Sequence, residues 1–279
     1  MNSVLITGSG GFIGGNLKDY FARRLKIFAP RSRELDLCDP RAASEYFRAH
    51  KPEAIIHCAS VGGARGEADP DGTLIKNLAM FDNLAELAGG KIPLITFGSG
   101  AGFDRSRSLE NVSESELAAS APKDLYGLSK LKIALRCAET PNALCLNIFG
   151  CYGRREKPSR FPSYALAQCM RGNDIVISRN AVFSYLYIGD LARITETFLF
   201  NPPSAKIINA VPDEKLDMLD IAKIAVRLTG SKSKIQCVQD GQKPSYTASN
   251  KLFKTVLPDF EFTPMERGMA ELCQWLRGA

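Results

Sequence analysis

Short apolar segments alternate with longer segments of helical periodicity through the first half of the chain. Val4-Leu-Ile-Thr7 is a β-branched run that ends at glycines, and apolar residues then recur every three or four positions from Phe12 to Leu25. The other apolar runs and helical patterns of this half lie at 25–28, 54–58, 94–97 and 143–148, and at 40–49, 72–88 and 125–139, respectively. Strands alternating with helices of these lengths predict an α/β fold with a doubly wound parallel sheet.

The alternation weakens after about residue 150. A segment rich in charge, glycine and proline at 151–163 predicts a long loop, and such loops in compact domains are usually functional or disordered. The later patterns predict helices near 163–171, 190–200, 217–229 and 265–277, and strands near 182–188 and 207–209. We therefore expect a sheet domain at 1–150, with sheet elements returning near 182–210, and a smaller interleaved lobe at 151–181 and 211–279.

Composition and charge are those of an ordinary globular protein. The chain has 279 residues, of which 45% are hydrophobic, enough for a full core. Its net charge of +6 comes from 36 basic and 30 acidic residues without a long basic run, which suits a small anionic substrate and does not require nucleic acid. No apolar stretch approaches the roughly 20 residues that span a bilayer. A cytoplasmic protein without membrane contact is predicted.

The cysteines and histidines give no metal-site pattern. Eight cysteines are scattered without a C-x-x-C pair, and His50 and His57 are the only histidines. We expect reduced, mostly buried thiols and no bound metal.

A glycine-rich turn follows the first strand directly. Gly8, Gly11 and Gly14 stand at three-residue intervals and lead into the first helix. Glycines here permit a tight turn, let the backbone approach a pyrophosphate and let helix and strand pack closely, while the helix N-terminus offers its amides. The alternative is a glycine turn without a ligand. The position between strand and helix favours a dinucleotide site that includes Gly8, Gly11, Phe12, Ile13 and Gly14.

The end of the second strand indicates which dinucleotide is bound. An acidic residue there would hydrogen-bond the ribose hydroxyls of NAD, whereas Arg accommodates the extra phosphate of NADP. The sequence is Phe28-Ala-Pro-Arg-Ser-Arg33, and Glu34 is the first carboxylate after it. NADP(H) is favoured over NAD, with Arg31 and Arg33 as phosphate ligands; the alternative is that both arginines belong to a solvated loop.

Tyr126 and Lys130 lie four residues apart in a segment of helical character that reaches about Glu139. At that spacing they share one face of a helix. A neighbouring cation favours the phenolate form of a tyrosine, which makes its hydroxyl a better proton donor or acceptor near neutrality. A solvated helix face would show the same spacing, so the meaning of the pair depends on the dinucleotide site that precedes it.

Four motifs in order resemble the extended short-chain dehydrogenase/reductase family, of the NAD-dependent epimerase/dehydratase type. They are TGSGGFIG at 7–14, LDLCD at 35–39, IHCAS at 56–60 and YGLSK at 126–130. The similarity runs over most of the chain and is densest before residue 153. It implies a Rossmann fold with a smaller C-terminal substrate lobe, and a homodimer built from paired helices that include the one carrying Tyr126.

The resemblance also implies roles for individual residues. Tyr126 would exchange a proton with the substrate, Lys130 would favour the phenolate and hold the ribose, and Ser99 would hydrogen-bond the substrate oxygen, with Thr96 as the alternative to Ser99. Further contacts are implied with the cofactor for Asp36, Leu37, Cys58, Ala59, Ser60 and Asn77, and with the substrate for Ser99, Gly100 and Asn147.

Within the family, the motifs are most similar to those of GDP-fucose synthases and nucleotide-sugar 4-ketoreductases. GDP-fucose synthases epimerise with a Cys two residues beyond the catalytic Ser and a later His, but this chain has Ala101 at the first place and no His near Arg160. Dehydratases carry Asp and Glu where Gly100 and Ala101 stand. The resemblance therefore implies the simplest reaction, NADPH-dependent reduction of the 4-keto group of a nucleotide-linked 4-keto-6-deoxy sugar.

Two other functions stay open: a nucleotide-sugar 4-epimerase that keeps NAD bound, and a non-catalytic dinucleotide-sensing protein. Diphosphate recognition is open as well, because Phe183 stands where many nucleotide-sugar members have an Arg. Guanidinium groups match phosphate geometry, so other arginines would bind the diphosphate. The alternative is that these arginines are solvated surface residues. The candidates are Arg154, Arg155, Arg160 and Arg179.

Overall fold

The structure is a computed structural model that describes residues 1–64 and 67–278. The strands in these ranges are β1 Ser3–Thr7, β2 Lys26–Phe28, β3 Ile55–His57, β4 Leu94–Ser99, β5 Leu109–Val112, β6 Ala143–Ile148, β7 Gly150–Tyr152, β8 Ile175–Asn180, β9 Val182–Phe183, β10 Tyr185–Tyr187, β11 Ile207–Asn209, β12 Leu216–Asp217, β13 Ile235–Gln242 and β14 Tyr246–Ala248. The α-helices are α1 Phe12–Phe21, α2 Pro40–His50, α3 Thr73–Ala88, α4 Leu125–Glu139, α5 Phe161–Met170, α6 Ile188–Phe200, α7 Met218–Thr229, α8 Lys251–Val256 and α9 Met265–Gly278.

The first compact unit comprises Met1–Ser106, Glu114–Ile148 and Ala192–Asn209. Its sheet has the order β11-β6-β4-β3-β1-β2, and every neighbouring pair is parallel. The chain passes from β1 outward to β2 and then returns to β3 on the other side of β1, so the strand order reverses at β1. Ligands of doubly wound sheets bind at the carboxyl ends of the strands beside such a reversal. The predicted α/β fold with a doubly wound parallel sheet is confirmed.

Strong local signals explain why the elements of this unit match the sequence pattern. Helix α2 begins at Pro40, and the Asp39 side chain caps it by accepting hydrogen bonds from the N–H groups of Arg41 and Ala42. The central strands β1, β3 and β6 are buried along their whole length, as expected of a parallel sheet covered on both faces.

The second compact unit comprises Arg107–Ser113, Phe149–Leu191 and the chain from Ala210 to the end of the described residues. It contains small sheets in which β10 pairs with β7, β13 pairs with β8, and β12, β9, β14 and β5 lie side by side. Residues 182–191, which we expected to return to the large sheet, belong here because β9 and β10 pair with β12, β14 and β7. In the first unit β11 is the late element that joins the large sheet.

Several elements of the second unit carry no clear sequence pattern. Strand β13 is exposed at nearly every position, so its side chains show no alternation between buried and exposed faces. The strand expected at 182–188 is divided at Ser184 into β9 and β10. None of the helices in the described residues is both long and apolar enough to cross a bilayer.

Candidate active site

The first strand ends in a turn that has room only for backbone. Gly8 has a φ of +63°, and a Cβ placed on it would lie 2.6 Å from the Ala59 nitrogen just beyond β3. A Cβ on Gly14 would overlap the Gly8 carbonyl oxygen. A side chain on Gly8 would clash with the backbone that follows β3, and one on Gly14 would push α1 away from the turn, so both positions require glycine.

The N-terminus of α1 opens onto this turn. Its N-cap residue, Gly11, has no side chain that could bond the first amides of the helix, and a Cβ on Gly10 would meet no atom within 4 Å. The first N–H groups of a helix have no partner within the helix, and the helix dipole favours an anion beside them. The turn and the helix start, including Phe12 and Ile13, therefore fit the pyrophosphate of a dinucleotide.

Thr7 joins the ends of β1 and β3. Its hydroxyl oxygen accepts hydrogen bonds of 3.2 Å from the N–H groups of Cys58 and Ala59, and it lies 2.8 Å from His57 Nδ1. Because two donors already reach that oxygen, the Thr7 proton is donated to His57 Nδ1. His57 is then neutral with its proton on Nε2, and burial together with the Lys130 cation lowers its pKa to about 3. Ser60, the next predicted cofactor contact, is exposed.

Arg31 and Arg33 follow β2 with exposed side chains. The Glu34 carboxylate interacts with both residues. It accepts a 2.9 Å hydrogen bond from the backbone N–H of Arg31 and lies 3.9 Å from Arg33 Nε. The Arg33 side chain is 75% exposed, so this ion pair is weak. Both guanidinium groups face solvent where an anion can reach them. Ser9 connects the glycine turn to this region by donating to the Ala29 carbonyl at 3.3 Å.

The predicted adenine contacts follow the same strand. Asp36 accepts a 2.9 Å hydrogen bond from the Cys38 N–H, and the Leu37 side chain is buried. The Leu37 carbonyl accepts from Asn83 of α3 at 2.8 Å. These bonds fix the segment that leads from β2 into α2.

Asn77 on α3 is buried and bonded at both ends of its amide. Its Oδ1 accepts from the Val61 N–H at 2.8 Å, and its Nδ2 donates at 3.0 Å both to the Val61 carbonyl and to Ser129 Oγ. Ser129 donates in turn to the Tyr126 carbonyl at 2.7 Å. Asn77 thus connects the chain that follows β3 to the helix that carries Tyr126, a link that the sequence did not indicate.

Ser99 ends β4 at the start of a 3₁₀ turn, Gly100–Gly102. Its Oγ accepts a 3.1 Å hydrogen bond from the Ala101 N–H, which leaves the hydroxyl proton to be donated. Thr96 lies inside the strand and is buried, whereas Ser99 is half-buried at the strand end. The geometry therefore favours Ser99 over Thr96 as the group that meets a substrate.

Helix α4 contacts that turn. Asp124 caps the helix by accepting from the Gly127 N–H at 2.8 Å. A Cβ on Gly127 would overlap the Ala101 carbonyl oxygen, so glycine is what lets the helix approach the turn after Ser99. The elements that carry Ser99, Tyr126 and Lys130 are therefore in direct contact.

Lys130 is held beside the phenol ring. Its Nζ donates a 2.9 Å hydrogen bond to the Phe97 carbonyl and lies 5.4 Å from the centroid of the Tyr126 ring. Burial raises the pKa of Cys145 to about 12 while the Lys130 cation opposes that rise. The ammonium group thus lies against β4, and its charge also acts on Cys145 of β6.

Two contacts of Tyr126 were missing from the sequence analysis. Gly63 has a φ of +76°, and a Cβ on it would lie 2.7 Å from Cζ of the Tyr126 ring. Asp69 Oδ2 accepts from the Tyr126 N–H at 2.8 Å, and Asp69 Oδ1 accepts from the Gly63 N–H at 2.9 Å. The paired glycines at 62–63 were the one available signal, because they mark a backbone that approaches another group closely.

Asn147 lies inside the large sheet. It is 1% exposed, and its Nδ2 donates to Asn209 Oδ1 at 3.1 Å across β6 and β11. Glu114 accepts from the Asn209 N–H at 2.7 Å and extends this polar network. The predicted contact of Asn147 with substrate would have to involve this buried amide. Gly100 is likewise buried.

The remaining predicted substrate residues belong to the second unit. Arg154, Arg155 and Arg160 are exposed in the loop between β7 and α5. Arg179 on β8 is partly buried, and its Nε has no hydrogen-bond partner within the described residues. Phe183 packs against the rings of Tyr185 and Tyr246, with centroid distances of 5.3 and 6.1 Å.

A buried carboxyl group lies in the same loop. Glu156 is 6% exposed, and its Oε2 accepts from the Ser163 hydroxyl at 2.6 Å in the first turn of α5. Its Oε1 has no hydrogen-bond partner among the described residues. Burial raises the pKa of Glu156 to about 7, and the Ser163 hydrogen bond and the Arg160 cation oppose the rise. In the part of the chain that the structure covers, no group of three or more His, Cys, Asp or Glu residues could hold a metal.

Known proteins share both the sequence pattern and the fold. Residues 4–210 match the model of the NAD dependent epimerase/dehydratase family. The chain is 24% identical to the GDP-L-colitose synthase of Yersinia pseudotuberculosis, over 98% of this chain and 97% of the relative. A GDP-L-fucose synthetase from Naegleria fowleri bound to NADP has a TM-score of 0.86 at 19% identity, over 99% of this chain and 93% of that one. A GDP-mannoheptose C4 reductase from Campylobacter jejuni with NADP bound has a TM-score of 0.85 at 16% identity, over 99% and 98%.

The solved structures, at these identities, establish the Rossmann fold. The family match covers most of the chain and includes the glycine turn and the Tyr126 helix. It confirms the predicted family, the NAD(P) class of cofactor and the predicted class of enzyme, an NAD(P)-dependent oxidoreductase of the short-chain dehydrogenase/reductase type. The chain belongs to the NAD dependent epimerase/dehydratase family.

Proposed function

We propose that the chain uses NADPH to reduce the 4-keto group of a nucleotide-linked 4-keto-6-deoxy sugar. One observation carries the proposal: the Lys130 ammonium is fixed by the Phe97 carbonyl beside the Tyr126 ring. Both residues lie on a helix that glycine packs against the turn after Ser99. A phenol hydroxyl beside an ammonium group can transfer its proton to a carbonyl oxygen as that oxygen gains negative charge.

Each of the three residues has a separate task in this reaction. The cofactor, when bound, supplies the hydride that the carbonyl carbon accepts. Ser99 donates a hydrogen bond to the carbonyl oxygen and holds it in place. Tyr126 gives its phenolic proton to that oxygen, which completes the alcohol. Lys130 stabilises the negative charge that remains on the tyrosine, and its other N–H groups can donate to the ribose.

The acid/base groups near the site support a simple reduction over a reaction that also epimerises. Ala101, two residues after Ser99, is buried and has no ionisable group. His57 is buried and bonded to Thr7, and His50 Nδ1 lies 2.8 Å from the Tyr46 carbonyl within its own helix. These are the only histidines of the chain. Tyr126 is thus the proton donor that the reaction depends on.

The nucleotide and the cofactor are proposed from the relatives. The relative in sequence is named for a GDP-sugar, and the two solved structures are named for GDP-sugars and hold NADP. Arg31 and Arg33 agree with NADP because their exposed guanidinium groups follow the second strand. For the diphosphate, Arg154, Arg160 and Arg179 stay the proposed ligands. The homodimer and the cytoplasmic location stay predictions.

The test mixes the purified protein with NADPH and, in separate reactions, with GDP-, dTDP-, UDP- and CDP-linked 4-keto-6-deoxy sugars. Oxidation of NADPH is followed by the loss of its absorbance. We expect oxidation with at least one of them, most with the GDP-sugar, and its loss in Tyr126→Phe. Tyr46→Phe is the matched control, because Tyr46 uses its ring to stack on His50 at a centroid distance of 3.9 Å. If no sugar causes NADPH oxidation, the reductase proposal is wrong.

Epimerisation at C4 with a permanently bound NAD is the second candidate, because the family model is named for epimerases and the same three residues can serve oxidation and re-reduction. Mass spectrometry of the denatured protein separates the two. Stoichiometric NAD released from protein that was purified without added cofactor favours the epimerase, whereas protein without NAD that binds NADPH reversibly favours the reductase.

A further inference from the structure

A carboxylate far away in sequence holds the backbone of Tyr126. Asp69 lies 57 residues before Tyr126, yet its Oδ2 accepts the Tyr126 N–H at 2.8 Å. Its Oδ1 accepts the Gly63 N–H at 2.9 Å. One side chain therefore connects the start of α4 to the segment that follows β3.

The position of this bond within the helix makes it unusual. Asp124 is the N-cap of α4, so Tyr126 is the second residue inside the helix and Gly127 the third. The Asp124 side chain bonds the Gly127 N–H and leaves the Tyr126 N–H without a local acceptor. Asp69 supplies that acceptor from another segment. The helix keeps its own cap without Asp69, so losing Asp69 is expected to release Tyr126 from its neighbour while α4 still forms.

The other end of the link supports the ring of the same residue. Cζ and both Cε atoms of Tyr126 lie 2.7 to 2.9 Å from where a Cβ of Gly63 would be, so the phenol ring rests on the Gly63 backbone. Gly63 has a φ of +76°, a conformation that the bond from its N–H to Asp69 helps to fix. Asp69 thus holds both the backbone of Tyr126 and the surface against which its ring lies.

We propose that Asp69 is a positioning residue that sets the place of the Tyr126 hydroxyl by bonding the Tyr126 and Gly63 amides with its two carboxylate oxygens. The inference rests on the proposed reduction, in which Tyr126 donates the proton. In this proposal Asp69 has no part in proton transfer itself, because each of its oxygens accepts a backbone N–H. Its effect is on the transfer step and not on cofactor affinity.

The test compares Asp69→Ala and Asp69→Asn with two other capping variants. Asp124→Ala removes the local cap of α4 without touching Gly63. Asp217→Ala removes the cap of α7, where Asp217 accepts from the Asp220 N–H at 2.9 Å, and serves as the control for losing a capping carboxylate elsewhere. The measurements are kcat and KM for NADPH, the isotope effect with deuterated NADPH, and the exchange rates of the Tyr126 and Gly63 amides in protein labelled with ¹⁵N-tyrosine and ¹⁵N-glycine.

Asp69→Ala is expected to lower kcat on the order of 10²-fold, because a displacement near 1 Å of a reacting group costs about that much. The KM for NADPH stays the same, the isotope effect grows, and both amides exchange faster. Asp69→Asn keeps one acceptor oxygen, so its kcat lies between those of Asp69→Ala and the wild type. Asp217→Ala retains the wild-type kcat and the wild-type exchange at both amides.

Three results would overturn the inference: a kcat in Asp69→Ala equal to that of the wild type, an equal loss in Asp124→Ala, or unchanged exchange at the Tyr126 amide. The equal loss would mean that fraying of α4 is the cause. If the wild-type protein oxidises NADPH with none of the sugars, the proposed function is wrong, and the amide exchange rates alone then decide whether Asp69 holds Tyr126.

Discussion

Replacing Gly63 by alanine adds a single methyl group and would move the Tyr126 ring. The new Cβ would lie 2.7 Å from Cζ, and ordinary contacts begin near 3.4 Å, so the ring must move by about 0.7 Å or the backbone of Gly63 must retreat. Alanine at a φ of +76° also costs about 1–2 kcal/mol in backbone strain. Gly63→Ala is therefore expected to reduce kcat on the order of 10- to 100-fold and to destabilise the fold only moderately.

A matched control separates the displaced ring from the strained backbone. Gly172 has a φ of +70°, but a Cβ on it would meet no atom within 4 Å. Gly172→Ala should lose the same 1–2 kcal/mol or so of stability and keep the wild-type kcat. The assays are NADPH oxidation with the best keto-sugar and urea unfolding of both variants. A wild-type kcat in Gly63→Ala, at a reduced stability, would refute the view that the reaction depends on where the Tyr126 ring lies.

Three further changes test the electrostatics and the strand ends. The pKa of Glu156 is raised from 4.5 to about 7 in the native state, so between these pH values the native state keeps a proton that the unfolded state has lost. This group's contribution to stability therefore disappears as the pH rises from about 4.5 to 7. Urea unfolding at pH 5 and pH 7.5 should show a difference of about 2 kcal/mol that is absent from Glu156→Gln; an equal difference in the variant contradicts the assignment. The double variant Arg31→Ala, Arg33→Ala should bind NADPH more weakly and NADH unchanged in fluorescence titrations, and parallel losses for both would show that the arginines do not contact the additional phosphate. Thr7→Val keeps the shape of the side chain but leaves two backbone N–H groups beyond β3 without an acceptor, so we expect a loss of about 2–4 kcal/mol in urea unfolding, and an unchanged midpoint would mean that those groups find other partners.

The features that the sequence predicted correctly are those set by neighbouring residues. The helix predicted at 125–139 is α4 with the same bounds, because Asp124 caps it and its apolar residues recur at helical intervals. The glycine turn was recognisable because backbone geometry itself requires glycine at Gly8 and Gly14. Both are local effects, and short segments of sequence contain the whole cause.

The features that were missed depend on residues far apart in the chain. Strand β5 pairs with β14, where Leu109 stands opposite Tyr246, and neither strand has a pattern of its own strong enough to be recognised. Asp69 reaches Tyr126 across 57 residues, and an aspartate in a loop is too common to suggest such a bond. Residues 182–191 joined the second unit because their pairing partners lie there. Propensity and periodicity describe a segment, whereas pairing depends on which distant segment is available.

The position of β11 in the large sheet has a consequence for how the protein is made. This strand is the edge neighbour of β6, and the buried amide of Asn147 bonds to Asn209 within it. A ribosome therefore has to release more than 200 residues before the sheet can gain its last strand. Until then the edge of β6 is open to pairing with other chains, and a fragment that stops near residue 150 would keep that edge exposed. The first unit cannot be produced as a simple N-terminal fragment, and expression of the chain in two pieces should give a soluble sheet only when the piece that contains 207–209 is present.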